Sequence, residues 1–198
     1  AIMGYFDDRK PLPAADKFFV QFFCAVSVVL LDPLLHQSLI ATFGAWGAIC
    51  GIIFIIGLVN AINFIDGIDG LAGLVIGAGA IGFMLLNYQG GQMIAYSATA
   101  ALLTGFVAVF LYYNVLKRQC FIGNTGSYFL SYVLAVMHLS VPVEAPGPVS
   151  RLCISGLCFL IPIADSLMVV ILRISTLRSP FQADKGHLHH RLIQAGLP

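Results

Sequence analysis

Long apolar runs alternate with short polar segments along most of the chain. A helix that crosses a membrane needs about 20 predominantly apolar residues. Six runs reach or approach that length: 18–31, 46–62, 71–88, 93–114, 127–141 and 152–172. Because the first run is short, its helix is expected to begin near Ala14, or to use the long side chain of Lys17 to reach the interface. The pattern predicts an all-α fold, a polytopic transmembrane helical bundle with about six spans.

The amino-acid composition supports a membrane protein. Of the 198 residues, 59% are hydrophobic and only 10% are charged, whereas soluble domains have about 25% charged residues. The net charge is +1 and no basic cluster is interleaved with aromatic residues, so nucleic acid is not expected as a partner. The five cysteines lack C-x-x-C spacing, so we expect them to pack as small hydrophobic residues against protein or membrane lipid.

The chain is expected to form one domain. No repeat of fixed period and no low-complexity tract divides the sequence, so residues 1–198 are interpreted as a single membrane-embedded domain. Residues 173–198 are predicted to form a cytoplasmic loop after the last span. Polar motifs stand close to both ends, which favours a piece of a longer protein, truncated at both ends.

The basic residues predict the orientation of the bundle. When six spans alternate in direction, nine of the ten lysines and arginines fall on one side, and only Arg151 falls on the other. The positive-inside rule makes the first side cytoplasmic. The connections on the opposite side, 32–45, 89–92 and 142–150, are interpreted as turns. The main polar clusters also fall on the predicted cytoplasmic side.

The segment 60–73 concentrates polar residues between apolar runs. Asp66 and Asp69 are the only formal charges between residues 33 and 116, and a carboxylate pair there is costly unless it faces a cation, water or a bound metal. Helical spacing puts Asn60, Asn63 and Asp66 on one face, and the glycines after each aspartate permit the chain to turn Asp69 back. The segment predicts a site for a hydrated cation and phosphate oxygens, with a solvated helix-ending loop as the alternative.

Two further polar clusters fall on the same predicted side. Asp7 and Asp8 are adjacent carboxylates, which repel each other unless a cation lies close. Asn124 and Thr125 stand where the fifth predicted span begins. The free backbone N–H groups of that helix start could hold an anion, or either side chain could simply cap the helix. Asp165, inside the last predicted span, is a functional candidate because intramembrane acids are costly; pairing with a basic residue such as Lys117 would also explain it.

Three histidines follow the last predicted span. His187, His189 and His190 are flanked by Lys185 and Arg191, which favours contact with phosphate or a nucleotide. Zinc binding and a solvated loop remain alternatives.

These blocks, in this order, resemble the polyprenyl-phosphate N-acetylhexosamine-1-phosphate transferases. The resemblance rests on Gly4-x-x-Asp7-Asp8, Lys17 and Gln21, the N-x-x-N-x-x-D-G-x-D-G-L-A-G segment, residues 123–127, Pro162-x-x-Asp165, Arg173 and the His-Leu-His-His run. The last block, followed by Arg191, is similar to the UDP-N-acetylglucosamine branch of the family. The resemblance implies a multi-pass enzyme of the bacterial inner (plasma) membrane, with its active site facing the cytoplasm.

The resemblance also implies the reaction, the cofactor and the residue roles. Sugar 1-phosphate passes from a UDP-N-acetylhexosamine to undecaprenyl phosphate and UMP is released, in the first membrane step of cell-envelope glycan synthesis. The cofactor is Mg2+, with Mn2+ as a substitute, and a homodimer is allowed. The implied catalytic residues are Asp7, Asp8, Asp66 and Asp69; the implied metal ligands are Asp66, Asp69, Asn124 and Asp7; the implied substrate-binding residues are Lys17, Asn60, Asn63, His187, His189, His190 and Arg191.

One position departs from the family pattern. Where this chain has Asn124, the family has an aspartate that is assigned to the metal. Asparagine keeps an oxygen ligand but loses the negative charge, so a divalent cation is expected to be held more weakly. A catalytically impaired or inactive member is therefore the first alternative. An ion-coupled transporter is a weaker one, because the charged groups gather on one side rather than at the midplane.

Overall fold

The computed structural model describes residues 1–90, 94–141 and 148–175. Its α-helices are α1 (Ile2–Arg9), α2 (Ala14–Leu31), α3 (Pro33–Phe43), α4 (Gly47–Ile65), α5 (Leu71–Gly90), α6 (Ile94–Leu111), α7 (Gly123–Ser140), α8 (Pro148–Cys158) and α9 (Leu160–Ser175). A 3₁₀ turn, Gly44–Trp46, joins α3 to α4, and a π-helical turn, Tyr112–Leu116, extends α6. The predicted all-α class is confirmed.

The helices are those of a membrane protein. Among the described residues, three segments are long and apolar enough to cross a membrane: Ala14–Leu31, Pro33–Ile65 and Ser97–Leu116. Leu71–Asn87 and Leu160–Leu172 are shorter apolar helices. Large apolar side chains lie on the outside, such as Phe23 at 63% exposed and Leu31 at 80%, which is the surface that lipid tolerates and water does not. The number of six spans stays a prediction.

Helices α4 and α7 form the centre of the bundle. Helix α4 packs against α2, α3, α7 and α9, while α7 also contacts α1 and α5. Ile55 and Ile62 of α4 and Leu134 of α7 are almost fully buried in this core. Helix α4 ends at Ile65 and α7 begins at Gly123, and a hydrogen bond between Asn63 and Asn124 puts these two helix ends next to each other.

The interpretation of residues 32–45 as a turn is wrong. Asp32 caps a helix there, since its side chain accepts hydrogen bonds from the backbone N–H groups of Leu34 and Leu35, and Pro33 occupies the first helical position. Leu35 and Leu39 are then buried against the core. An aspartate followed by proline is a helix-start signal, so the sequence held the information.

The predicted single span 152–172 is divided. Helix α8 ends at Cys158 and α9 begins at Leu160, with the buried Phe159 between them. Pro162 has no backbone N–H to donate to the carbonyl of Cys158, which weakens the helix at this point. Helix α2 begins at Ala14, where the first predicted span was expected to begin.

Candidate active site

Asp8 joins the first helix to the start of α7. One carboxylate oxygen accepts from the backbone N–H of Asn124 at 2.8 Å, and the other accepts from the backbone N–H and the hydroxyl of Thr125 at 3.0 and 2.7 Å. Partial burial by itself would raise the pKa of Asp8, but these hydrogen bonds lower it below its ordinary value. The free backbone N–H groups at the start of α7 thus bind an anion, as expected for a helix N-terminus. This anion is the Asp8 carboxylate of the same chain.

A close approach of the two backbones makes this contact possible. A Cβ atom on Gly4 would lie 2.5 Å from Thr125 Cα and 2.6 Å from the carbonyl oxygen of Asn124. No side chain fits at that distance, so the glycine lets α1 lie directly on the first turn of α7.

Asp7 points away from its neighbour and is buried, at 5% exposed. The Lys17 ammonium donates to its two carboxylate oxygens at 3.1 and 3.3 Å, the Leu12 backbone N–H donates at 2.8 Å, and the Tyr128 hydroxyl donates at 3.3 Å. A buried carboxylate needs such compensation. The two adjacent carboxylates are therefore neutralised separately, Asp7 by a lysine and Asp8 by a helix start.

Two carboxamides join α2 to α4. The Asn60 amide donates to Gln21 Oε1 at 2.7 Å, the Gln21 amide donates back to Asn60 Oδ1 at 3.3 Å, and the Asn60 amide also donates to the carbonyl of Ile56 at 2.8 Å. Gln21 is buried, at 8% exposed. Asn60 is thus engaged with a neighbouring helix rather than with the other polar residues of its own segment.

Asn63 lies one turn further along α4 and faces α7. Its amide donates to Asn124 Oδ1 at 2.8 Å and to the Ser127 hydroxyl at 2.9 Å. Asn124, the position that departs from the family pattern, therefore has two partners. Its side-chain oxygen accepts from Asn63, and its backbone N–H donates to Asp8. This contact brings the segment 60–73 next to the segment 123–127, and their membership in one site stays a prediction.

Asp66 follows α4 directly and is partly buried. Burial, together with the negative charge of Asp8, raises the pKa of its carboxyl to about 7, against the lowering effect of a hydrogen bond from the Gly123 backbone N–H. A divalent cation would relieve both the burial cost and the repulsion between the two carboxylates. Within the described ranges, no group of three or more His, Cys, Asp or Glu side chains is arranged to hold a metal ion.

Asp69 lies in the turn after Asp66 and is exposed. Gly70 has a φ of +81°, a conformation that residues with side chains rarely adopt, and the turning back of Asp69 stays a prediction. The Gly70 backbone N–H donates to Asn114 Oδ1 at 2.6 Å, and the Asn114 amide donates to the carbonyl of Cys120 at 2.7 Å. Asn114 therefore ties the acidic turn to the segment that leads into α7.

Sequence reasoning gave no role to Asn114 or Tyr128. Asn114 is 3% exposed, and the available signal was a carboxamide at the end of an apolar run, where an unpaired amide is costly. Tyr128 gave no comparable signal, because a tyrosine in a membrane helix has many structural uses.

The structure joins several of the predicted site residues in the described ranges, while Asn60 is bonded to Gln21. Hydrogen bonds or ion pairs link Asp7 with Lys17, Asp8 with Asn124, and Asn124 with Asn63. Asp165 is buried in α9. The predictions for His187, His189, His190 and Arg191 lie outside the described residues.

The fold and the site define a helical membrane protein that gathers carboxylates, carboxamides and a lysine at one end of its bundle. Residues 1–141 match the profile of glycosyl transferase family 4, and the chain belongs to this family. The resemblance that the sequence motifs indicated is confirmed.

Individual relatives are similar over different parts of the chain. The probable undecaprenyl-phosphate N-acetylglucosaminyl 1-phosphate transferase of Bacillus subtilis is 32% identical, over 99% of this chain and 56% of the relative. The undecaprenyl-phosphate alpha-N-acetylglucosaminyl 1-phosphate transferase of Yersinia pestis is 28% identical, over 98% and 56%. The decaprenyl-phosphate N-acetylglucosaminephosphotransferase of Mycobacterium tuberculosis is 31% identical, over 57% and 31%. The chain therefore spans about half the length, or less, of these curated relatives.

Proposed function

We propose that this protein transfers N-acetylhexosamine 1-phosphate, in the simplest case N-acetylglucosamine 1-phosphate, from a UDP-sugar to undecaprenyl phosphate and releases UMP. The family and the names of the relatives support this reaction class. The observation that carries the proposal for this chain is the position of Asp66, a half-buried carboxylate beside Asp8 at the start of α7. Such a place suits a substrate that brings phosphate oxygens together with a cation.

In the proposed reaction, an oxygen of the acceptor phosphate forms a bond to the β-phosphorus of the UDP-sugar. The bond from that phosphorus to the bridging oxygen breaks, and UMP leaves with the oxygen. The second pKa of a phosphate monoester is about 6, so the acceptor is already mostly a dianion at neutral pH. A strong base is not needed, and binding, orientation and charge compensation are the main tasks of the protein.

Lys17 is the residue that we propose to attract the acceptor phosphate. It is partly exposed, with 28% of its side chain accessible, while Asp7 holds its ammonium at 3.1 Å. Asp7 is buried and accepts three different donors, so its proposed role is to position Lys17. Because part of the Lys17 side chain stays exposed, we propose that a second anion reaches its ammonium.

Hard cations such as Mg2+ take oxygen ligands, and several side chains near the end of α4 and the start of α7 carry them. The carboxylate oxygens of Asp66 and Asp8 and the side-chain oxygen of Asn124 are the ligands that we propose for Mg2+, with the exposed Asp69 three residues after Asp66. When bound there, Mg2+ would spread the negative charge of the diphosphate.

The proposed location is the bacterial inner membrane, with the site on the cytoplasmic side. The support is the charge distribution, since alternating spans put nine of ten basic residues on the side that carries Asp7, Asp8 and Asp66. UDP-sugars as donors require a site on that side.

Asn124 supports a second candidate, a member with weakened or lost activity. Its side-chain oxygen accepts from Asn63 at 2.8 Å, a contact that an aspartate would also make while adding a negative charge next to Asp66. The missing charge is expected to weaken Mg2+ binding more than it disturbs the fold.

The test is UMP release by membranes that contain the protein, with UDP-N-acetylglucosamine, undecaprenyl phosphate and Mg2+. Asp66→Asn is expected to abolish release, and Asp16→Asn, an exposed carboxylate at the start of α2, is the matched control that should retain it. Full release by Asp66→Asn would refute the assignment. If wild type is inactive and Asn124→Asp restores Mg2+-dependent release, the weakened member is the correct description.

A further inference from the structure

A line of polar residues runs through the candidate site from α1 to α7 by way of α2 and α4. Lys17 and Gln21 are four residues apart on α2, and Asn60 and Asn63 are three apart on α4, so each pair shares one helix face. Lys17 is fixed at one end by Asp7, and Asn63 at the other end by Asn124. The reciprocal bonds between Gln21 and Asn60 are the connection between the two halves.

We propose that Gln21 is a positioning residue that acts through its carboxamide pair with Asn60 and sets where the Lys17 ammonium lies relative to α4. The expected change in KM rests on the proposed function, whereas the expected position of Lys17 depends only on how the chain folds. It gives Asn60 a role in aligning helices, where the sequence predicted a role in binding substrate.

Reciprocal bonding makes the pair sensitive to the register of the two helices. Each side chain both donates to and accepts from the other, at 2.7 and 3.3 Å. If α2 slid along α4 by one residue, the two amides would shift by about 1.5 Å relative to each other. This shift is larger than the spread of donor–acceptor distances over which a hydrogen bond keeps good geometry. Since Lys17 is one turn away on the same helix, its ammonium moves with Gln21.

Most of the surface around Gln21 is apolar. Gln21 lies on the wall of a groove of about 680 Å3 between α1, α2, α4 and α7, whose other walls are mainly apolar side chains such as Val20, Phe23, Ile56 and Val59. A buried amide that loses its partner beside such surfaces carries an uncompensated desolvation cost. Removing one carboxamide is therefore expected to displace the other and the helix that carries it.

The experiment compares three variants with wild type in membranes. Gln21→Met removes the amide at similar length, the double variant Gln21→Asn with Asn60→Gln exchanges the two carboxamides and lets the pair form again, and Cys24→Ala is a matched control on the same helix and groove. Two kinds of measurement are made. The first is the rate at which an amine-reactive reagent labels Lys17, located by peptide mapping, and the second is the KM for the acceptor and for the donor.

We expect Gln21→Met to label faster at Lys17, because the ammonium leaves Asp7. The acceptor KM is expected to rise about tenfold, as for the loss of one buried hydrogen bond, with the donor KM within about twofold of wild type. The exchange variant is expected to restore both quantities, and Cys24→Ala to change neither. A purely structural role would lower the unfolding temperature without separating the two KM values.

The inference is overturned if Lys17 labelling in Gln21→Met equals that in wild type, or if the exchange variant behaves like Gln21→Met. It is also overturned if acceptor and donor KM rise together. If wild type releases no UMP, the proposed function is wrong or the chain is inactive, and the labelling pattern alone then decides the positioning role.

Discussion

Replacing Gly4 with alanine tests the contact that holds the acidic pair in place. The added Cβ would lie 2.5 Å from Thr125 Cα, whereas ordinary contacts begin at 3.4 Å. The neighbouring atoms are backbone, so relief requires α1 to move about 1 Å away from α7. The same movement would lengthen the 2.8 Å bond from the Asn124 N–H to Asp8 beyond hydrogen-bond range.

The expected cost combines two effects. Overpacking costs about 1–3 kcal/mol, and weakening the cap of α7 adds about 1 kcal/mol. We therefore expect the free energy of unfolding to fall by roughly 2–4 kcal/mol, which corresponds to a drop on the order of 10 °C in unfolding temperature for a chain of this size. The assay is thermal unfolding of the purified protein in detergent, followed by the fluorescence of its single tryptophan, Trp46.

Gly57→Ala is the matched control. Gly57 also lies within a helix, but a Cβ there would meet nothing within 4 Å. Alanine is favoured over glycine in a helix by about 0.5–1 kcal/mol, so this variant should unfold at the same temperature as wild type or slightly higher. Equal unfolding temperatures for Gly4→Ala and Gly57→Ala would refute the close α1–α7 contact and the role of Gly4 in it.

Three further predictions concern the site. Asp8→Ala should lower the free energy of unfolding by about 1 kcal/mol, because α7 loses its cap; an unchanged unfolding temperature would contradict the contact. Asn114→Leu leaves the Gly70 N–H without its acceptor, so hydrogen exchange at Gly70 should accelerate by about tenfold or more; wild-type exchange would refute the tie. Because the pKa of Asp66 is raised from 3.8 to about 7, the folded protein holds a proton that the unfolded chain releases. With a chelator present, the free energy of unfolding should therefore fall as the pH rises from 3.8 to about 7. Asp66→Asn should remove this dependence on pH.

Much of the architecture could be predicted because lipid imposes simple constraints on sequence. A helix in a membrane needs a long apolar run, so α2, α4 and α6 were visible as runs. The grouping of polar residues at one end also followed from alternating spans. Helix α3 was missed because its apolar residues were assigned to a connection, although Asp32 and Pro33 form a helix start.

The sequence by itself determined the membrane class, the helical fold and the identity of the polar residues. Only the tertiary structure decided their partners. Asp7 and Asp8 are neighbours with the same charge, yet successive residues on a helix point about 100° apart, so one meets Lys17 and Tyr128 and the other meets the start of α7. Asn60 and Asn63 divide in the same way between Gln21 and Asn124. The physical reason is that each partner lies on another helix, and the packing of those helices fixes which side chains come within hydrogen-bond distance.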